Sequence, residues 1–206
     1  MSRTATVLTS AALAAWGVHS TVLTRRLRQA HTDDLTGLYR RGEFTRRSQR
    51  LLPAATVLLL DLDGFKQLND TYGHEAGDIT LAVTAERVQA ALPQAVCGRL
   101  GGDGGDEFVA TVPQSAAEQL STETLLTALQ WPFRHGGVVL NPRVSIGLAP
   151  GPHKHGLSAA LAAADAAMYA AKTAGGSAVV YDPSRHLLGR GRRDVAQRDS
   201  ALASVS

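Results

Sequence analysis

The sequence predicts an α+β domain built on a mixed sheet and preceded by an N-terminal helix. Two observations carry this. Between about residues 31 and 182, apolar runs of strand length alternate with segments of helical spacing. In the middle of that alternation sits a Gly-rich hairpin, which a doubly wound parallel sheet lacks. The chain has 206 residues, 44% hydrophobic and 19% charged, enough to bury a core and too apolar for wholesale disorder. Its single cysteine, Cys97, excludes an internal disulfide, argues against a thiolate zinc site and fits a reducing compartment. The net charge is +3 and the pI near 9.3. Part of that excess lies at the ends, and no base-reading motif accompanies it, so no nucleic acid partner is expected.

Three parts follow in order. Residues 1–30 form an apolar helix and a basic linker. Thr4 to Thr24 is a run of 21 residues without a charge. As a helix it would be ~32 Å long, enough for a bilayer core of about 30 Å. Eight of the 21 are Thr, Ser or His. A transmembrane helix is the expectation, and a soluble or membrane-surface helix that pairs two subunits is the alternative. If it spans, Arg25, Arg26 and Arg28 put its C-terminal end, and the domain, on the cytoplasmic face of the membrane. Otherwise the chain is cytoplasmic. Residues 31–182 form the globular domain. Residues 183–206, rich in Gly, Arg and Ser, read as a disordered basic tail.

Within the domain, Ala55 to Leu60 is an unbroken apolar run ending at Asp61, a buried central strand. Ala76 to Leu92 has helical spacing and is stopped by Pro93. Ala95 to Leu100 and Glu107 to Val112 read as two strands around the Gly-rich turn. Ser115 to Leu129 reads as a helix with Ala117, Leu120, Leu125 and Leu129 on its apolar face. Arg143 to Leu148 is a further strand. Leu157 to Thr173 is an Ala-rich helix closed by Gly175-Gly176. Val179 to Tyr181 is a last short strand. Phe65, Phe108, Met168 and Cys97 read as core, His74 as a helix-start residue, and His153 and His155 as solvated.

Two acidic clusters carry chemistry. Asp61-Leu62-Asp63 closes the central strand, the end at which such sheets place ligands, and Lys66 follows. A hard Mg²⁺ ion favours one or two carboxylates completed by phosphate oxygens. The hairpin adds Gly101-Gly102-Asp103-Gly104-Gly105-Asp106-Glu107-Phe108, in which glycines let the backbone approach a ligand. Carboxylates meeting at adjacent strand ends suit metal-dependent nucleotidyl transfer.

Together these segments resemble the GGDEF domain family of diguanylate cyclases. Asp33-Asp34-Leu35-Thr36-Gly37-Leu38 is similar to its D-x-L-T-G-L opening. Asp61 to Asp70, with Gly73-His74 and Gly77-Asp78, is similar to its D-x-D-x-F-K-x-x-N-D segment. Gly104-Gly105-Asp106-Glu107-Phe108 spells the signature, and Val144 to Gly147 and Ala164 to Lys172 match the last two landmarks. The resemblance implies a palm-like cyclase domain with a mainly antiparallel sheet. It implies that two GTP molecules, one per domain of a homodimer, become cyclic di-GMP and two pyrophosphates with Mg²⁺. Position by position it implies Asp61, the Leu62 carbonyl and Asp106 as metal ligands. Asp106 and Glu107 become the catalytic acids, Lys66 and Lys172 the phosphate contacts, and Asn69 and Asp78 the guanine readers. Gly104 and Gly105 become backbone neighbours of the substrate.

Departures from the pattern matter equally. Three residues are extra in Gly-Gly-Asp-Gly-Gly-Asp-Glu-Phe, and removal of 101–103, 102–104 or 103–105 restores the motif. Gly176 stands where the family often has an arginine for phosphate, and Arg40 stands where the opening motif usually has Asn. Leu92-Pro93-Gln94-Ala95 replaces the R-x-x-D of product-inhibited members, so no feedback site is expected. A degenerate domain that binds GTP and acts through a partner is the alternative function.

Overall fold

A computed structural model describes Trp16 and residues 31–101 and 105–186. The expected N-terminal helix, other than Trp16, lies outside the described residues, as do Gly102–Gly104 and the tail beyond residue 186. No helix among the described residues is long and apolar enough to cross a membrane.

The elements in order are β1 (Tyr39–Arg40), α1 (Arg41–Ser48), β2 (Ala55–Leu62), α2 (Phe65–Tyr72), α3 (His74–Ala91), β3 (Val96–Arg99) and β4 (Glu107–Pro113). They continue with α4 (Gln114–Ala117), α5 (Thr122–Gln130), β5 (Phe133–His135), β6 (Val138–Leu140), β7 (Val144–Pro150), α6 (Gly156–Thr173) and β8 (Ala178–Val180). The main sheet runs β1-β3-β4-β2-β7-β8. Its three inner pairings are antiparallel, and the two outer ones, β1 with β3 and β7 with β8, are parallel. The domain is therefore the α+β, mainly antiparallel type that the sequence predicts.

β2 is central because every residue in it is buried. Alternation divides it between two cores. Leu58, Leu60 and Leu62 join Leu81, Val88, Leu125 and Leu129 under α3 and α5. Val57 and Leu59 join Phe44, Leu157, Ala160, Ala164 and Met168 under α1 and α6. Helix α6 comes very close to the sheet: a Cβ on Gly147 would lie 1.9 Å from the Ala164 carbonyl oxygen. Only a glycine in β7 lets the Ala-rich helix sit there. Phe65, Phe108, Met168 and Cys97 are all buried, and burial pushes the Cys97 thiol up to about 12.

Three expectations need correction. Ser115–Leu129 is two helices, because the Ser121 hydroxyl accepts from Thr124 N–H and starts α5 afresh. His153 is half-buried rather than solvated, and burial lowers its pKa against hydrogen bonds to the Ala55 and Ala149 backbone carbonyls that raise it. The hairpin β5–β6, turning on Gly136 and Gly137 at φ +55° and +81°, was not expected.

Candidate active site

The site gathers at the C-terminal end of β2. Asp61 is 3% exposed and pairs across the ladder with Glu107 of β4 on one side and Ser145 of β7 on the other. Directly opposed residues in a ladder point to the same face. Asp61 and Glu107 thus share the α6 face, and α6 delivers Lys172 to it: the ammonium donates to Asp61 Oδ1 at 2.7 Å. Asp106 immediately precedes β4, and its carbonyl accepts from Leu62 N–H at 3.3 Å. The two acidic clusters therefore meet at adjacent strand ends. Asp63 follows on the same strand end, where Ser145 Oγ donates to its carboxylate at 2.9 Å.

Asn69 and Asp78, the pair expected to read guanine, lie across the α2–α3 junction. Gly77 in the first turns of α3 leaves room for Asn69 of α2, since a Cβ there would stand 1.8 Å from Asn69 Oδ1. That oxygen is buried and has no hydrogen-bond partner. Buried acceptors are almost always satisfied, so this orphan is an acceptor that suits a ligand's N–H donor. Asp78, the next residue, is exposed and adds a second acceptor. Two acceptors suit the N1–H and N2–H₂ edge of guanine. Lys66 is placed differently from Lys172: its side chain is 93% exposed and its ion-pair partner is Asp70 at 3.7 Å.

The signature turn is held from beneath. Arg99 is buried, and its Nε donates to the Gly105 carbonyl at 2.8 Å while Nη1 donates to Asp33 Oδ1 at 2.9 Å. Asp33 also accepts from the N–H and hydroxyl of Thr36. Burial raises the Asp33 pKa, but the hydrogen bonds from Thr36 and Arg99 and the Arg99 charge outweigh it and leave it lowered. The opening motif thus supports the turn that carries Asp106. Above this support the register Arg99↔Phe108 is regular and Leu100 N–H donates to the Glu107 carbonyl. Gly101 and Gly105 then pack backbone to backbone, a Cβ on either falling within 2.3 Å of the other's Cα. The predicted neighbour Gly104 lies outside the described residues.

The expected donors, the carboxylates of Asp61 and Asp106 and the Leu62 carbonyl, are all oxygen, the chemistry a hard cation such as Mg²⁺ takes with phosphate oxygens completing its shell, while among the described residues no three acidic, histidine or cysteine side chains are gathered closely enough to hold a metal by themselves. The sequence marks Gly77 as part of the Gly-Asp landmark but not its role of making room for Asn69, and spacing gives no signal for Arg143.

Comparison with known proteins agrees with this geometry. Residues 30–178 match the family model described as diguanylate cyclase, GGDEF domain. The chain is 45% identical over 178 residues to a 19.3 kDa protein in the repSA 5′ region of Streptomyces ambofaciens, covering 81% of this chain and 92% of that one. It is 36% identical over 154 residues to diguanylate cyclase TpbB of Pseudomonas aeruginosa, 70% of this chain but only 35% of TpbB. The solved GGDEF domain of TpbB superposes with a TM-score of 0.67 at 34% identity, covering 74% of this chain and 95% of that one. The coiled coil and GGDEF domain of DgcB from Caulobacter crescentus, solved with c-di-GMP, gives 0.75 at 25% identity, covering 86% and 100%. The signature, the fold and these relatives together place the chain in the GGDEF domain family of diguanylate cyclases.

Proposed function

We propose that the chain is a Mg²⁺-dependent diguanylate cyclase that works as a homodimer. Each chain holds one GTP, its guanine on Asn69 and Asp78 and its phosphates toward Lys172 and Lys66. The observation that carries activity is the stem of the signature hairpin. The ladder is regular through Arg99↔Phe108, and Arg99, bonded to Asp33, donates to the Gly105 carbonyl, which supports a stem kept intact beneath the lengthened signature.

In this reading the 3′-oxygen of one GTP attacks the α-phosphorus of the other. A P–O bond forms, the bond to pyrophosphate breaks, and the hydroxyl proton leaves to a carboxylate. A second, symmetric transfer closes the ring. Bound Mg²⁺ supplies charge neutralisation at the phosphoryl oxygens and lowers the cost of deprotonating the hydroxyl. The chain's own residues do the rest. Asp61, Asp106 and the Leu62 carbonyl would hold the cation. Asp106, with Glu107 beside it, would accept the hydroxyl proton. Lys172, whose ammonium donates to Asp61, would turn to phosphate oxygens.

A degenerate, regulatory domain is the second reading, favoured by the uncharged Gly176 and by a 35% identical relative named cyclic di-GMP phosphodiesterase PdeR of Escherichia coli. The full chain incubated with GTP and Mg²⁺, with products separated and weighed by mass spectrometry, decides between them. Cyclic di-GMP that disappears in Asp106→Ala and Glu107→Gln is the expected result. Intact GTP, bound but unconverted, would leave only the regulatory reading.

A further inference from the structure

We propose that Arg143 is a binding residue for the polyphosphate of GTP, filling with its guanidinium the space that Gly176 leaves open. This rests on the nucleotide-site reading above and adds to it a residue that neither the signature nor the other motifs contain. Arg143 immediately precedes β7. Val144 pairs with Leu62, so Arg143 lies beside Asp63, two steps beyond the Asp61–Ser145 pair. It is held at both ends. Its carbonyl accepts from Asp63 N–H at 2.8 Å, and its Nη2 donates to the Gly175 carbonyl just past the end of α6. The guanidinium is thus suspended between the acidic strand end and the helix that carries Lys172.

Gly176 explains why the charge comes from this direction. Its φ is +90°, a conformation that side chains rarely adopt. A Cβ there would stand 2.9 Å from Asp63 Oδ2, 3.6 Å from Arg143 Nη2 and 3.8 Å from Arg143 Nε. In this backbone conformation a side chain at position 176 is strained, and the guanidinium of Arg143, 33 residues earlier in the chain, stands in van der Waals range of the place its Cβ would take.

The charge is also available. Arg143 is exposed, and among the described residues no carboxylate lies within ion-pair distance of it. Asp63, its near neighbour, is turned to the Ser145 hydroxyl instead. The two lysines of the site already hold carboxylates, Lys172 on Asp61 and Lys66 near Asp70. A guanidinium has five N–H donors in a rigid fork suited to phosphate, and the Gly175 carbonyl engages only one of its nitrogens. Anchored by that bond, it is oriented before the ligand arrives.

The test measures binding by the full chain, using 3′-deoxy-GTP, which lacks the attacking hydroxyl and cannot be condensed, and GMP, which lacks the terminal phosphates. Arg143→Gln keeps a donor for the Gly175 carbonyl and removes the charge. It is expected to weaken 3′-deoxy-GTP about tenfold, as loss of one charge-assisted contact does, and to leave GMP within about twofold. Arg143→Lys, which keeps the charge but not the fork, is expected to fall between Arg143→Gln and wild type. Unchanged 3′-deoxy-GTP binding by Arg143→Gln would overturn the proposal and leave Arg143 a helix cap. Equal weakening of both nucleotides with a lowered Tm would overturn it too, as a structural effect. Wild type binding neither nucleotide would instead bring down the nucleotide-site reading, and this inference with it.

Discussion

At the scale of single residues, the site depends on groups that are small or hidden. Gly77 is the sharpest case, because its effect on stability and its effect on function have opposite signs. Alanine is favoured over glycine in a helix interior by about 1 kcal/mol, so Gly77→Ala favours α3. Yet the new methyl would stand 1.8 Å from Asn69 Oδ1 and 3.2 Å from Phe65 Cζ, and the amide must turn away. We expect Gly77→Ala to keep or slightly raise Tm while weakening GTP binding about tenfold, as Asn69→Ala does. Calorimetry on both variants checks this, and full GTP affinity in Gly77→Ala would refute it. Glu43 is a second buried group, remote from the chemistry. Hydrogen bonds from Arg46 chiefly, then from Arg47, with both charges, outweigh burial and lower its pKa to about 2. A carboxylate with a depressed folded pKa stabilises above its unfolded pKa and loses that contribution as the pH falls toward the folded one. The stability difference between wild type and Glu43→Gln should therefore be full at neutral pH and close between about 4.5 and about 2, as followed by denaturant midpoints.

At the scale of elements, the β3–β4 hairpin is where sequence and structure complement each other. Removing any of the three triplets gives one and the same chain, and the fold shows where that chain would close. A Cβ on Gly105 would lie 2.2 Å from Gly101 Cα, which puts those two Cα atoms at most about 3.7 Å apart, close to the ~3.8 Å spanned by one peptide unit. Excision of Gly102–Gly104 therefore joins Gly101 to Gly105 with little rebuilding and leaves the Arg99–Gly105 bond in place. A shorter turn orders Asp106 better, so the excised chain is expected to raise kcat at unchanged KM; reduced turnover would show that the longer turn contributes to catalysis. Asp33→Ala acts from the other side by freeing Arg99, and should lower kcat more than it raises KM. Much of this hairpin was readable beforehand, because Ala95–Leu100 and Glu107–Val112 are apolar runs with a turn between them. β1 was not readable: it is two residues long and is defined by its pairing with Gly98 and Arg99 and by the Thr32–Tyr39 bridge. The β5–β6 hairpin was hidden for a similar reason, since Val138 and Val139 are exposed and no buried alternation marks them. The break at Ser121 was missed because the apolar spacing continues through it. Arg143 could not be assigned from sequence, since its role comes from Gly175 and Gly176, brought to it by the α6 crossover.

At the scale of the whole molecule, the proposed chemistry sets a requirement that one domain cannot meet. In the proposed reading Asn69 and Asp78 hold one guanine and one acidic strand end serves its phosphates, so each chain offers a single nucleotide position. Ring closure needs two nucleotides in opposed orientation, which a two-fold dimer supplies by symmetry. Activity per chain should then rise with protein concentration and level off once dimers dominate. Asn69→Ala chains, deficient in GTP but unaltered elsewhere, should act as a poison. Mixed in excess with wild type, they capture wild-type chains in dimers that hold only one nucleotide, and cyclic di-GMP output falls well below that of the same wild-type amount alone. A chain that cyclises without a partner would show neither the concentration dependence nor the poisoning. Residues 1–30 enter here as a proposal: a segment that pairs or tethers two chains raises their effective concentration. Removing it should then shift the rise in activity to higher protein concentration without changing the plateau, whereas a lowered plateau would mean that the segment acts on the site itself.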